Sequence, residues 1–176
     1  ALSTAEILKL LNPIWETVHV LHGMDILHRD IKPDNIIVRR AQTGTPHAVL
    51  IDFGAARPEF SQKNRSVIQI HTPGYAPPEQ VEAHSHQIQS SRTDIYAAAM
   101  TTLCALTQLP PPTDSSPSVA TLSHYRQQIS QRLTHLAVPE SWQTALLHGI
   151  AEQTEARPVS LRAWLDGIAA AQAEPP

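Results

Sequence analysis

The apolar stretch from Ile95 to Leu106 constrains the fold more than any other feature of the sequence. It is the longest apolar stretch in the chain, yet it is shorter than the roughly 20 residues that a membrane-spanning helix needs. We therefore interpret it as a helix buried inside the protein, which other elements must cover on every side. A chain of 176 residues is long enough to provide that cover in one compact domain.

Charge and cysteine content exclude several classes of protein. The formal net charge is -3, from 13 Lys and Arg against 16 Asp and Glu, so the chain lacks the basic field that attracts nucleic acids or anionic membranes. Neither partner is expected. A single cysteine, Cys104, cannot form a disulfide framework, and the sequence does not begin with a charged and then apolar leader. We therefore expect a reducing, cytoplasmic location.

The first segment predicts a helix over residues 1–22. Ser3 at the N-cap and Glu6 three residues later have the spacing of a capping box. Pro13 removes one backbone donor and should kink the helix near Asn12. Apolar residues recur with the helical period at Ile7, Leu10, Leu11, Ile14, Val18 and Leu21.

A β-hairpin is predicted from about Asn35 to Asp52. Two short β-branched runs, NIIVRR and HAVLID, are separated by the turn residues of AQTGTP. From Glu79 onward the chain is mostly helical, interrupted by a Pro-rich linker from Pro110 to Pro117. It ends in two predicted helices, one over residues 140–153 with Glu140 or Ser141 as the cap, and one over residues 160–172 with Ser160 as the cap. The predicted fold class is therefore mainly α, with a small β-hairpin region.

The polar residues at the two ends of this hairpin suggest a chemistry. Asp30, Lys32 and Asn35 lie just before the first strand, and Asp52 follows the second, so the hairpin brings them together. They offer a carboxylate to orient or deprotonate a hydroxyl, an ammonium for a migrating phosphoryl group, and a carboxylate and an amide oxygen for Mg²⁺. Any one of these aspartates could be an ordinary charge on a surface loop. Together they indicate phosphoryl transfer.

Five motifs resemble those of the C-terminal lobe of eukaryotic-like protein kinases, and the sequence GYAPPEQ resembles the bacterial Ser/Thr kinases in particular. In chain order the motifs are HRDIKPDN at 28–35, DFG at 52–54, TPGYAPPE at 72–79, DIY at 94–96 and ARP at 156–158. The resemblance implies a helical bundle around a buried central helix. It covers residues 1–176 as one kinase C-lobe, divided into the first helix (1–22), the catalytic loop, hairpin and DFG (28–54), the activation segment (55–79) and a helical subdomain (80–176).

The resemblance also implies the roles of the site residues. Asp30 would accept or orient the proton of the substrate hydroxyl, and Lys32 would neutralise the moving phosphate, as in the Ser/Thr class. Asn35 and Asp52 would hold Mg²⁺, and Ile37 would lie under the adenine ring of ATP. The substrate would be a protein Ser or Thr.

Further residues would support or regulate this site. His28 and Phe53 would stack in the apolar spine that aligns the two kinase lobes, beside Gly54 of the DFG motif. Asp94 would hold the backbone of the catalytic loop. Glu79 would pair with Arg157, Arg29 resembles a receptor for a phosphorylated residue, and the candidate phosphosites are Ser61, Ser66 and Thr72. Thr72 is more strongly expected to hydrogen-bond Asp30 and Lys32.

Two positions depart from the kinase pattern. His71 stands where the family has Gly before TPGY, and Ala99 replaces a Gly on the buried helix. Ala is the better helix former by about 1 kcal/mol, but its methyl group needs room. Local geometry is therefore expected to differ there, while the catalytic residues are intact.

The largest departure concerns the small N-terminal lobe. The six glycines, at 23, 44, 54, 74, 149 and 167, leave no Gly-rich phosphate loop, and Lys9 is the only lysine upstream of the catalytic motif. The chain is therefore expected to bind ATP and Mg²⁺ weakly and to be inactive without an N-lobe or another domain as partner. Its uncovered face would self-associate, or the segment after DFG would fold over it with Phe53 displaced. The alternative function is a non-catalytic lobe that serves as a protein-binding or regulatory module.

Overall fold

A computed structural model describes residues 2–39, 46–58, 72–81, 89–114 and 119–173. These residues form helices α1 to α6, short strands β1 to β4, and 3₁₀ turns at Pro33–Asn35 and Thr154–Ala156. In chain order the helices are Thr4–Gly23, Pro78–Val81, Ser91–Thr107, Val119–His135, Glu140–His148 and Leu161–Ala173. The strands are Ile26–Leu27, Ile36–Arg39, His47–Leu50 and Arg57–Pro58. The predicted fold class, mainly α with a small β-hairpin region, is confirmed.

Helix α3 is the centre of the core. Every residue from 93 to 103 is buried, and α1, α4, α5 and α6 all contact this helix. The helix begins after Ser90, whose hydroxyl accepts a hydrogen bond from the backbone of Arg92. The prediction of a buried central helix is therefore confirmed. No helix in the described ranges is long and apolar enough to cross a membrane.

Helix α1 begins as predicted. The Ser3 hydroxyl accepts a hydrogen bond from the Glu6 backbone N–H at 3.3 Å, and the Glu6 carboxylate accepts one from the Ser3 N–H at 2.8 Å. The helix continues through Pro13, and the Thr17 hydroxyl donates to the Pro13 carbonyl. The buried face packs on α3, α6 and β3 through Leu11, Ile14, Trp15 and Val18.

The predicted hairpin is present. Strands β2 and β3 pair antiparallel, with Ile36 opposite Leu50 and Arg39 opposite His47. The turn proposed between them lies outside the described residues. A second pairing, of β1 with β4, was not predicted from the sequence. It places the chain just after the DFG motif beside the chain that enters the catalytic loop.

The room that Ala99 needs comes from Gly149, which follows α5. A Cβ atom added to Gly149 would lie 2.4 Å from the Cβ of Ala99, closer than two carbon atoms can approach. Because Gly149 has no side chain, there is room for the methyl group of Ala99, which stands where the kinase pattern has glycine. The other position that departs from the kinase pattern, His71, lies outside the described residues, as do the candidate phosphosites Ser61 and Ser66.

Candidate active site

The side chain of Asp94, at the start of α3, binds the backbone of the catalytic loop. Its two carboxylate oxygens accept hydrogen bonds from the N–H groups of His28 and Arg29, each at 2.8 Å. Arg29 has a φ of +67°, in the left-handed region that residues other than glycine seldom adopt. The expected contact of Asp94 with the loop is therefore present, and it stabilises a backbone turn that sterics oppose.

His22 is a further partner of Asp94 that the sequence reasoning missed. Its Nε2 atom lies 2.8 Å from Oδ2 of Asp94, and both side chains are nearly inaccessible to solvent. The available signal was a histidine in the last turn of α1, one residue after the last apolar position of the helical pattern. Only the fold shows that this residue faces α3.

The carboxylate of Asp30 lies at the centre of a polar cluster. One oxygen accepts a hydrogen bond from the Thr72 hydroxyl at 2.9 Å. The other lies 3.0 Å from the Lys32 ammonium and accepts a bond from the Asn35 amide, also at 3.0 Å. Lys32 donates to the Thr72 hydroxyl at 2.8 Å. The predicted hydrogen bonds of Thr72 with both residues are thus confirmed.

This cluster keeps Asp30 ionised. Partial burial raises the pKa of Asp30, but hydrogen bonds from Lys32, Thr72 and Asn35 and the charge of Lys32 outweigh it, and the pKa lies below its ordinary value. At neutral pH the group is therefore a carboxylate, which can accept a proton. Its three donors also fix the direction in which it faces.

His28 and Phe53 are in contact, as expected. Their ring centroids are 4.9 Å apart with an interplanar angle of 61°, an edge-to-face arrangement. Phe53 is therefore not displaced from His28, and that part of the expectation is wrong. Burial lowers the pKa of His28 despite the nearby carboxylates of Asp94, Asp30 and Asp52. The ring is therefore neutral at pH 7.

Asp52 lies at the other end of the hairpin, in a left-handed turn with φ of +63°. One oxygen of its carboxylate accepts a hydrogen bond from the N–H of Gly54 at 3.0 Å. A Cβ atom at Gly54 would approach that oxygen to 2.9 Å, so a side chain at this position would have to displace the Asp52 carboxylate. Within the described part of the chain, Asp52 makes no hydrogen bond to Asp30, Lys32 or Asn35.

The donor set suits Mg²⁺. Asn35 directs its amide N–H group to Asp30, so its carbonyl oxygen is the remaining ligand, and Asp52 has a second carboxylate oxygen. Mg²⁺ binds hard oxygens and usually takes only one or two protein ligands beside phosphate and water. No cluster of three or more His, Cys, Asp or Glu that could hold a metal occurs among the described residues. Asn35 and Asp52 together offer the two oxygen ligands that such a site takes from a protein.

The outer face of the hairpin is apolar and uncovered. Ile37, the expected adenine contact, is 44% exposed, and Phe53 is 46% exposed. Ile37 stands opposite Val49, which is also exposed, and Ile51 follows on the same strand side. We call these four residues the hairpin face. A flat base or a second lobe would find an apolar surface there.

A buried ion pair links the two ends of the helical region. The guanidinium of Arg157 binds the Glu79 carboxylate through two hydrogen bonds, at 2.6 and 3.0 Å, and neither side chain is exposed. The Arg157 guanidinium also lies 5.0 Å from the centre of the Tyr96 ring. The predicted pair is therefore present, and it fixes α2 against the core.

Gln80, next to Glu79, also contacts the catalytic loop, and the sequence reasoning gave it no role. Its side-chain amide donates to the Arg29 carbonyl oxygen at 2.7 Å. The signal was its position in the motif GYAPPEQ, directly after the buried glutamate. The catalytic loop is therefore held by side chains from α2 and α3, and His22 of α1 contacts one of them, Asp94.

A helical lobe that presents this cluster beside a two-stranded hairpin has the architecture of a protein kinase C-terminal lobe. The protein kinase domain family matches residues 1–161, and the chain belongs to that family.

Three relatives illustrate its place within the family. Serine/threonine-protein kinase PknA of Nostoc sp. is 42% identical over 112 residues, which are 60% of this chain and 19% of the relative. Pkn1 of Myxococcus xanthus is 27% identical over 177 positions, covering 98% of this chain and 25% of the relative. PknF of Mycobacterium tuberculosis is 30% identical over 121 residues, 68% of this chain and 25% of the relative. The chain thus spans about a fifth to a quarter of these bacterial-type Ser/Thr kinases.

Proposed function

We propose that this chain is the catalytic C-terminal lobe of a Ser/Thr protein kinase, which transfers the γ-phosphate of ATP to the hydroxyl of a protein Ser or Thr. The observation that carries this proposal is the Asp30 cluster. An ionised carboxylate is held by Thr72, Lys32 and Asn35 in one polar cluster. Phosphoryl transfer depends mainly on such positioning and on charge stabilisation.

Each residue has a defined part in the transfer. Asp30 orients the substrate hydroxyl and accepts its proton as the oxygen attacks the γ-phosphorus. The bond from that phosphorus to the β-phosphate oxygen breaks, and ADP leaves with the electron pair. The Lys32 ammonium, 3.0 Å from Asp30, stabilises the negative charge on the transferred group. When bound, Mg²⁺ would be held by Asn35 and Asp52 and would neutralise charge on the phosphates.

The proposal requires a second lobe. Ile37, Val49 and Phe53 leave an apolar surface open beside the phosphoryl-transfer site. Exposed apolar surface of this kind marks a ligand or protein contact. We assign it to the adenine ring and to a nucleotide-binding lobe, joined to this one in the parent protein. A binding or regulatory module remains the alternative, because such a face would also dock another domain.

The test compares the chain alone with the chain joined to a kinase N-terminal lobe. With ATP, Mg²⁺ and a protein substrate, the joined form is expected to produce phosphoserine or phosphothreonine. The chain alone should produce neither and should bind ATP weakly by calorimetry. Asp52→Asn in the joined form should remove both the activity and its dependence on Mg²⁺. Micromolar ATP affinity of the chain alone, or full activity of Asp52→Asn, would contradict the proposal.

A further inference from the structure

The backbone of Arg29 is held from two sides. Arg29 donates its N–H to Asp94 at 2.8 Å, and its carbonyl oxygen accepts from the Gln80 side chain at 2.7 Å. Asp94 and Gln80 are both buried. A left-handed φ at a residue with a side chain is unfavourable and persists only where the surroundings impose it. The two side chains supply that constraint.

The Gln80 contact acts on Asp30 directly through covalent geometry. The carbonyl of Arg29 and the N–H of Asp30 belong to the same planar peptide unit, so fixing the oxygen also fixes the N–H. That N–H faces Nδ1 of His28 at 3.4 Å. The orientation of this plane determines where the Asp30 side chain begins.

Gln80 is itself firmly placed. Its backbone N–H donates to the Pro77 carbonyl at 2.9 Å, and the preceding residue, Glu79, is bound by Arg157 inside the protein. The segment that carries Gln80 also carries Thr72, which binds the Asp30 carboxylate. This segment therefore acts on Asp30 twice. Thr72 binds the Asp30 side chain, and Gln80 binds the Arg29 carbonyl, which shares a peptide unit with the Asp30 N–H.

We propose that Gln80 is a positioning residue for Asp30: its side-chain amide fixes the peptide between Arg29 and Asp30 and thereby directs the carboxylate toward Thr72, Lys32 and Asn35. The geometric effect can be measured in this chain by itself. Its consequence for phosphoryl transfer rests on the proposed function.

The test replaces Gln80 with Leu, which removes the donor, or with Met, whose unbranched side chain fits the same space. Gln143→Leu is the matched control, because the Gln143 amide also donates to a backbone carbonyl, that of Val138, at 2.8 Å. The readouts, both taken by NMR at neutral pH, are the chemical shift of the Asp30 carboxyl carbon and the coupling between the amide and α protons of Arg29, which reports φ.

Both Gln80 variants are expected to shift the signal of the Asp30 carboxyl carbon and the Arg29 coupling, whereas Gln143→Leu should change neither. If Gln80→Leu does not fold, Gln80→Met decides. Unchanged signals in the Gln80 variants, or an equal shift in Gln143→Leu, would overturn the proposal.

In the form joined to an N-terminal lobe, Gln80→Leu should lower kcat while leaving KM for ATP nearly unchanged, and Gln143→Leu should leave both unchanged. An unaltered kcat in Gln80→Leu would count against the positioning role. If no form transfers phosphate at all, the proposed function fails while the NMR result still decides the role of Gln80.

Discussion

At the scale of single residues, the ion pair of Glu79 and Arg157 is the most sensitive point of the fold. Glu79→Gln would leave a buried guanidinium without its counter-charge, since the other partners of Arg157 are backbone carbonyls. We expect a loss of about 3–5 kcal/mol in the free energy of unfolding, measured with urea. Arg162→Gln, which breaks the exposed pairs with Glu16 and Asp166, is the control and should cost at most about 1 kcal/mol. Equal losses in the two variants would contradict this account.

His28 makes stability depend on pH in a predictable direction. Burial lowers its pKa in the folded state, so below about pH 6.5 the unfolded chain binds a proton that the folded chain does not. Stability is therefore lost as pH falls from this value toward the folded pKa, by up to about 1.4 kcal/mol per pH unit. His28→Phe keeps a ring against Phe53 but cannot titrate. The stability difference between the two proteins should shift with pH in that window, and a constant difference would refute the effect.

The predictability of the site differs between residues for a physical reason. Asp30, Lys32 and Asn35 lie in one loop, so their spacing in sequence already indicates that they meet. Gln80 binds Arg29 of this loop across 51 residues of sequence, and His22 contacts Asp94, which binds the loop, across 72 residues. Such contacts depend on how α1 and α2 pack on α3, which local sequence does not show.

At the scale of elements, the contact between α3 and the end of α5 depends on a missing side chain. Gly149→Ala would place a methyl group against Ala99 and near the Trp164 ring. We expect a loss of about 1–3 kcal/mol in the free energy of unfolding, because an overpacked core must shift. Combining Gly149→Ala with Ala99→Gly should restore part of the lost free energy of unfolding.

Gly167→Ala is the matched control for this experiment. Gly167 lies within α6, and nothing lies within 4 Å of an added Cβ atom. The same substitution should therefore stabilise the protein there, by up to about 1 kcal/mol from helix propensity. A stabilising effect at Gly149 as well, or no rescue by Ala99→Gly, would show that the two residues do not compete for space.

Sequence reasoning succeeded for elements with strong local signals. The capping box of α1 and the β-branched runs of the hairpin specify their own starts and pairing. For α5, predicted over residues 140–153 with Glu140 or Ser141 as the cap, the start at Glu140 is confirmed, but the cap and the end are wrong. The helix instead follows Pro139 and ends at His148. The close approach of Gly149 to Ala99 and the binding of Arg157 to the Ala151 and Glu152 carbonyls accompany the early end, and both are tertiary contacts.

At the scale of the whole molecule, the uncovered hairpin face should determine association. Self-association of the isolated chain remains a prediction, and Val49→Lys should reduce it by placing a charge on that face. Val159→Lys is the control, since Val159 is 70% exposed and does not belong to the hairpin face. Sedimentation of both variants over a range of concentrations makes the comparison. An equal effect of the two lysines would locate the contact elsewhere.

The activity of Asp30→Asn shows whether Asp30 accepts or orients the proton in phosphoryl transfer. In the form joined to an N-terminal lobe, this variant should transfer phosphate to protein Ser or Thr at least about 10²-fold more slowly, the usual size of a general-base effect. Asp34→Asn is the control, because Asp34 lies in the same loop but is exposed. The account predicts a large loss at Asp30 with near-normal activity at Asp34, and full activity in Asp30→Asn would contradict it.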